Sequence, residues 1–188
     1  MDINSDRFNS ALDRNIAETS NAILKRRALI GIFNSQSAHG LDFFRVAEHA
    51  LYNDLLAHAM RVFDTNKGAA SFWYLEKCDH AKFIVAAVES KVDLEALRAI
   101  TKKLRRIRNK THFHIDKEAV TNPKLVWSLA EISGDYLGES LESAFKLLAY
   151  LAFKRDGIHR VVPDYDGSDV PKIIRAYKQA HPEVPIAV

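Results

Sequence analysis

The chain carries a single cysteine, Cys78, among 188 residues. That excludes an intramolecular disulfide and any structural zinc site built from several thiolates, and it makes a reducing compartment, the cytoplasm, the expected home. No apolar run approaches the roughly 20 residues that a membrane-spanning helix requires. The opening segment Met1-Asp2-Ile3-Asn4-Ser5-Asp6 has neither the basic n-region nor the apolar h-region of an export signal. Neither a membrane role nor export is therefore expected. Glycine-rich phosphate loops and catalytic-serine motifs are missing, which removes P-loop nucleotide hydrolases and α/β-hydrolases from consideration. Strand-like alternation is nearly absent, and neither a fixed-period repeat nor a low-complexity linker divides the chain.

What is present is the composition of a globular protein with an ordinary core, 47% hydrophobic and 27% charged, at a length typical of one domain. Helical periodicity dominates. Phe8, Leu12, Ile16, Ile23, Leu24 and Ile30 predict a long first helix from about Ser5, its candidate N-cap, to Phe33. After a turn at residues 35–40, the apolar stripe Phe43, Phe44, Ala47, Leu51, Leu55, Ala59, Val62 and Phe63 predicts a second helix ending near Asp64. A short helix follows over Ser71 to Cys78. The apolar stretch Ala81 to Glu89 suits a buried helix or a strand, and helix is preferred because its neighbours are helical. Asp93 is a plausible N-cap for a helix whose seam is Leu94, Leu97, Ile100, Leu104 and Ile107. Asn122-Pro123 breaks the chain, a further helix runs from about Val126 or Ile132 to Phe153, and Ser168-Asp169-Val170-Pro171 opens a last one that closes before His181-Pro182. The expected class is all-α: an antiparallel helical bundle over residues 1–154, with residues 155–188 as a C-terminal extension packed on or beside it.

Net charge is only +3, but its distribution is uneven. Arg98, Lys102, Lys103, Arg105, Arg106, Arg108 and Lys110 fall in thirteen residues without one acid. The segment Arg108-Asn109-Lys110-Thr111-His112-Phe113-His114-Ile115-Asp116 then places a fixed cation, a carboxamide and two imidazoles within seven residues. Those are the groups that RNA cleavage needs without a metal or cofactor. Histidine can take the proton of the attacking 2′-OH or protonate the leaving 5′-oxygen at neutral pH. Arginine stays charged and can fork two N–H groups onto phosphate oxygens. Asn109 can orient either group. In a regular helix Arg108 neighbours His112, while His114 is about 120° away; a kink near Lys110-Thr111 would bring His114 to Arg108 instead. Helical geometry alone leaves both histidines as candidates.

The pattern from Leu104 to Asp116 resembles the Arg-polar-Lys…His-x-Asp signature of the HEPN superfamily. Within it the chain is most similar to the abortive-infection (Abi, AbiU-like) branch of phage-defence proteins. The stretch Leu56-Ala57-His58-Ala59-Met60-Arg61-Val62-Phe63-Asp64 also resembles that branch's second helix, which ends in a Phe-Asp pair. The resemblance covers roughly residues 5 to 154. It implies a homodimer with two Arg…His motifs across a shared cleft, and metal-independent endoribonuclease activity leaving a 2′,3′-cyclic phosphate and a 5′-OH. It aligns Arg108 with the family arginine, Asn109 with the following polar residue and His114 with the family histidine, because Asp116 lies two positions on. The bulky His112-Phe113 pair departs from the family pattern and keeps His112 as a candidate. Lys102, Lys103, Arg105, Arg106 and Lys110 are the expected RNA-binding cations, and an antitoxin or regulatory protein is an expected partner in a toxin-like system.

Other readings compete. The basic helix can be a solvated face, and the fold can be a non-catalytic module that binds RNA, a nucleotide or a protein. Arg108 and His114 can form a buried pair that braces the bundle. His112-Phe113-His114-Ile115-Asp116 is a poor metal site, because on a helix residues two apart point about 160° from one another. His39, His49, His58 and His80 are too scattered to make a ligand set, and His49 and His58 are expected to face solvent or bond locally. Cys78 is expected to be half-buried core. Trp73 and Tyr74 are expected to pack, and Asp64 to cap or to form an ion pair within the bundle; the family resemblance implies instead a supporting role for Asp64 near Arg108.

Overall fold

Residues with strong helix-starting chemistry mark most of the element boundaries. The structure, a computed structural model, describes residues 3–35, 42–109 and 131–181. Seven helices and no strand occur among the described residues: α1 (Ile3–Asn34), α2 (Asp42–Val62), α3 (Phe72–Cys78), α4 (His80–Glu89), α5 (Leu94–Ile107), α6 (Gly134–Asp156) and α7 (Asp169–Ala180). The chain is all-α, as its periodicity predicts. None of these helices is long and apolar enough to cross a membrane.

Capping explains where α4, α5 and α6 begin. Asp79 accepts from the Lys82 amide at 3.0 Å, Asp93 from the Glu95 and Ala96 amides at 2.8 and 3.2 Å, and Ser133 from the Tyr136 amide at 3.1 Å. Each satisfies amides that a helix N-terminus otherwise leaves unpaired, typically worth about 1 kcal/mol. The start of α6 is thus Ser133-Gly134 rather than the earlier Val126. At its far end Gly157 adopts the left-handed conformation, φ 72°, and its amide reaches the Phe153 carbonyl at 2.7 Å, which terminates the helix. Ser5 lies inside α1, which begins two residues earlier, so it does not cap it. The ambiguous 81–89 stretch is helical: Phe83, Ala86 and Ala87 are buried on one face, while Val85 and Val88 are exposed.

The chain divides into two compact units, whose boundaries fall within α1 and α2. One comprises residues 1–19 and 58–161. Its core is supplied by the buried seams of α5 (Leu97, Ile100, Leu104, Ile107) and α6 (Leu137, Leu141, Ala144, Leu147, Leu148, Leu151), at the three- and four-residue spacing of amphipathic helices. Here α6 packs against both α4 and α5. Phe72 is fully buried and meets Phe63, Trp73 and Phe83 at ring separations of 6.1, 5.0 and 5.1 Å. The Trp73 indole donates to Thr101 Oγ1 at 2.9 Å, tying α3 to α5.

The same unit holds a charged cluster between α1 and α2. The Glu18 carboxylate is buried and accepts from Arg14 (2.6 Å), Arg61 Nε (2.8 Å) and His58 Nδ1 (2.5 Å). His58 is therefore buried, not solvent-facing; it has the local contact expected of it, 2.8 Å from Nδ1 to an Arg61 guanidinium nitrogen, and beyond that the distant Glu18. Burial pushes the Glu18 carboxyl up, but the hydrogen bonds and charges of Arg61 and His58 outweigh it and hold the group below its ordinary value.

The second unit comprises residues 20–57 and 162–188. Ile32 of α1 meets Val170 and Ile174 of α7, with Phe44, Ala47 and Leu51 of α2 packed around them. Arg27 donates to the carbonyls of Pro163 and Tyr165 at 3.2 and 3.3 Å. Two glycines permit this approach. A Cβ on Gly31 would lie 2.5 Å from the Gly167 carbonyl oxygen, and one on Gly167, at φ 76°, would lie 2.6 Å from that of Arg27. Gly31→Ala is expected to lower stability by about 1–3 kcal/mol, the range for overpacking; an unchanged thermal midpoint by circular dichroism would remove this constraint. A second expectation concerns acid. Since the folded pKa of Glu18 lies below its unfolded one, its stabilisation is present above about pH 4.5 and is lost as pH falls through the folded value. Glu18→Gln should flatten the acid limb of a urea-unfolding series taken from pH 6 to pH 3, and an unaltered slope would exclude Glu18 as a contributor.

Candidate nucleic-acid interface

The site is built at the C-terminal end of α5. With Leu97, Ile100, Leu104 and Ile107 committed to the core, a helical advance of about 100° per residue puts Lys102, Arg105, Arg106 and Asn109 within an arc of roughly 100° on the other side. Lys102, Arg105, Arg106 and Asn109 are exposed. Lys102, Arg105 and Arg106 have no ion-pair partner among the described residues, which leaves a cationic face open to an anionic ligand. Lys103 is occupied: its ammonium meets the Glu131 carbonyl at 3.0 Å and carboxylate at 3.5 Å, and lies 5.4 Å from the Tyr136 ring centre. Arg98 is likewise engaged, paired with Glu76 at 2.6 Å and set 4.8 Å from the Trp73 ring centre.

Arg108 continues the helical conformation (φ −52°, ψ −47°), but its side chain leaves the exposed arc and reaches the loop between α2 and α3. Its Nη1 donates to Asp64 Oδ1 at 2.8 Å, and its Nε makes a longer contact, 3.4 Å, with Asn109 Oδ1. Asp64 is itself fixed. Its carboxylate accepts from the Asn66 amide at 2.9 Å in an Asx turn, and its carbonyl accepts from Ser71 Oγ at 2.5 Å. Phe63, one residue earlier, is buried against Phe72. A rigid carboxylate therefore clamps the arginine, and the expected alternatives for Asp64 resolve as an ion pair that supports Arg108.

Arg108 and Asp64 side chains keep 28% and 21% of their exposure, so the pair is neither fully solvated nor dry. The Nη2 edge of the guanidinium has no partner among the described residues and can still meet a phosphate oxygen. The adjoining depression, lined by Met60, Phe63 and Leu104 with Thr65 and Arg105, has only about 10 Å³ of free volume. That is room for about one water. A phosphate at Arg108 would sit on the surface, not in a pocket.

Lys110, His112 and His114 lie outside the described residues, as does Asp116. Among the described residues no three His, Cys, Asp or Glu side chains gather to hold a metal ion. One expectation is corrected among the described residues near this site. Cys78 is exposed, not half-buried, because α3 turns its Phe72, Trp73 and Leu75 inward instead. The joining of Glu18 to His58 and Arg61 had no local signal, since these partners lie forty or more positions from it; the Arg14–Glu18 spacing of four and the His58–Arg61 spacing of three were readable as helix pairs.

Comparison with known proteins yields no significant match to any protein-family model, curated protein or solved structure. The Asp64–Arg108 pair is testable by itself. A double-mutant cycle of Asp64→Ala and Arg108→Ala, followed by urea denaturation, is expected to give a coupling of about 0.5–2 kcal/mol. Additive single effects would show that the contact contributes nothing.

Proposed function

We propose that this chain is a metal-independent endoribonuclease of the HEPN type, acting in phage defence or a toxin-like system. The observation that carries the reading is an arginine clamped by a rigid carboxylate at the end of a helix whose exposed arc is cationic. Clamping limits the rotamer freedom that a long side chain would otherwise lose on meeting a phosphate. The face formed by Lys102, Arg105 and Arg106 supplies the sequence-independent attraction for the strand, which weakens with salt.

The cleavage step would use groups of this chain alone. His114, or His112 in its place, takes the proton of a ribose 2′-OH, whose oxygen then bonds to the adjacent phosphorus. The P–O5′ bond breaks, and the leaving oxygen is protonated by a second imidazole. The products are a 2′,3′-cyclic phosphate and a 5′-OH, with no water consumed. Arg108 would neutralise the charge that grows on the phosphorane oxygens, and Asn109 would orient it through the contact at its Nε. A homodimer would provide the second motif, so that one histidine need not act as base and acid at once.

A non-catalytic RNA-binding module of the same fold is the second reading. It is favoured by the small depression beside Arg108 and by the commitment of Nη1 and Nε to Asp64 and Asn109. The two are separated by incubating wild type, Arg108→Ala, His112→Ala and His114→Ala with a mixed RNA pool in EDTA and analysing the product ends. The nuclease reading expects cyclic-phosphate ends from wild type, and a loss of at least roughly a hundredfold, the usual scale for a proton-transfer group, in one histidine variant. Salt-sensitive RNA binding without turnover would establish the module instead.

A further inference from the structure

The loop that presents Asp64 to Arg108 also borders an open groove. Residues Lys67, Ala69 and Ala70 of the loop face the first turns of α1, and Tyr74 of α3 completes the wall; the free volume is about 520 Å³. The groove is preformed. Asn15, buried in α1, donates to the Ala70 and Ala11 carbonyls at 2.8 Å each, pinning the loop to the helix. Gly68 and Ala69 amides bond back to Asn66 at 3.2 and 3.1 Å.

Its lining pairs small apolar walls with cations. Arg7, Arg14 and Lys67 line it against a single acid, Asp6. Arg14 is steadied by the buried Glu18 carboxylate at 2.6 Å, while Arg7 and Lys67 have no ion-pair partner among the described residues. Tyr74 is half-buried at the start of α3, so part of its ring is already packed and has less rotational freedom left to lose on stacking. Enclosed small-ligand sites bury most of their ligand. An open channel of cations around an aromatic ring suits a strand that enters and continues past it. Asp64 and Lys67 are three residues apart, at most roughly 11 Å along the chain, so a short run of nucleotides can reach from Arg108 to this groove.

We propose that the groove is a second contact for single-stranded RNA, with a base stacked on Tyr74 and phosphates against Arg7, Arg14 and Lys67. The inference rests on the RNA reading above and adds a strand path that the α5 motif does not contain. Binding is measured by fluorescence anisotropy with a labelled 2′-O-methyl oligouridine of about 12 nucleotides, a length within the range of single-strand sites. That probe lacks the attacking hydroxyl and so remains intact. The Arg7→Gln/Lys67→Gln double variant should reduce the salt slope by about 1.4, or roughly 0.7 per lost phosphate contact. Tyr74→Leu should weaken binding about tenfold with little change in slope, and Tyr74→Phe should retain it. If these variants bind like wild type while Arg105→Gln/Arg106→Gln weakens binding, the groove is overturned and the RNA reading survives. If wild type binds no oligonucleotide at any salt, the RNA reading falls and the groove with it.

Discussion

Burial of Phe72 is the interaction on which the functional region depends. This ring, enclosed by Phe63 from the end of α2, Trp73 from its own helix and Phe83 from α4, fixes both ends of the 64–71 loop. Full burial of a phenylalanine is worth about 1.5–3 kcal/mol of transfer free energy, and edge-on aromatic neighbours add to it. The polar consequences follow from that anchor. With Phe63 and Phe72 held, Ser71 can bond the Asp64 carbonyl, and Asp64 can hold Arg108. The loop's opposite end is pinned to α1 by Asn15. An apolar cluster thus sets the position of a cation through the loop that it anchors.

Charge in this molecule is sorted by what the core leaves available. On α5, Arg98 and Lys103 are drawn into contacts with Glu76 and Glu131 and cover the rings of Trp73 and Tyr136, so their aliphatic stems contribute packing as well as charge. Lys102, Arg105 and Arg106 have no such partners among the described residues. A stripe that looks uniform in sequence is therefore divided between residues that stabilise the fold and residues that remain available to a ligand. The buried Glu18 carboxylate follows a different logic: its oxygens are satisfied by two guanidinium groups and an imidazole, without which a carboxylate there would be costly.

How much of this was legible depends on sequence separation. The α5 seam, the Asp93 cap, the Ser168-Asp169 start and the long α1 were readable because helices write a local period and local caps. The nature of 81–89 was less plain, since an apolar run reads alike in either backbone period; burial of Phe83, Ala86 and Ala87 at helical spacing resolved it. The family resemblance points to Asp64 beside Arg108, but only the fold shows the loop bonds that stiffen it. The contact of His58 with Glu18 and the groove of Arg7, Lys67 and Tyr74 were beyond reach, because those partners are separated by about forty to seventy positions. Cys78, a small hydrophobe at the end of a short apolar helix, reads as core in the sequence, but three larger residues, Phe72, Trp73 and Leu75, fill the inward face and leave it exposed.

That exposed thiol has a practical consequence. Because Cys78 is the sole cysteine in the sequence, air oxidation during purification can join two chains only through this position, and the product would migrate as a covalent dimer. Any self-association of biological interest must therefore persist in reductant. Conversely, a maleimide-linked dye or spin label would attach at one known place on the native chain, beside Tyr74, without any substitution.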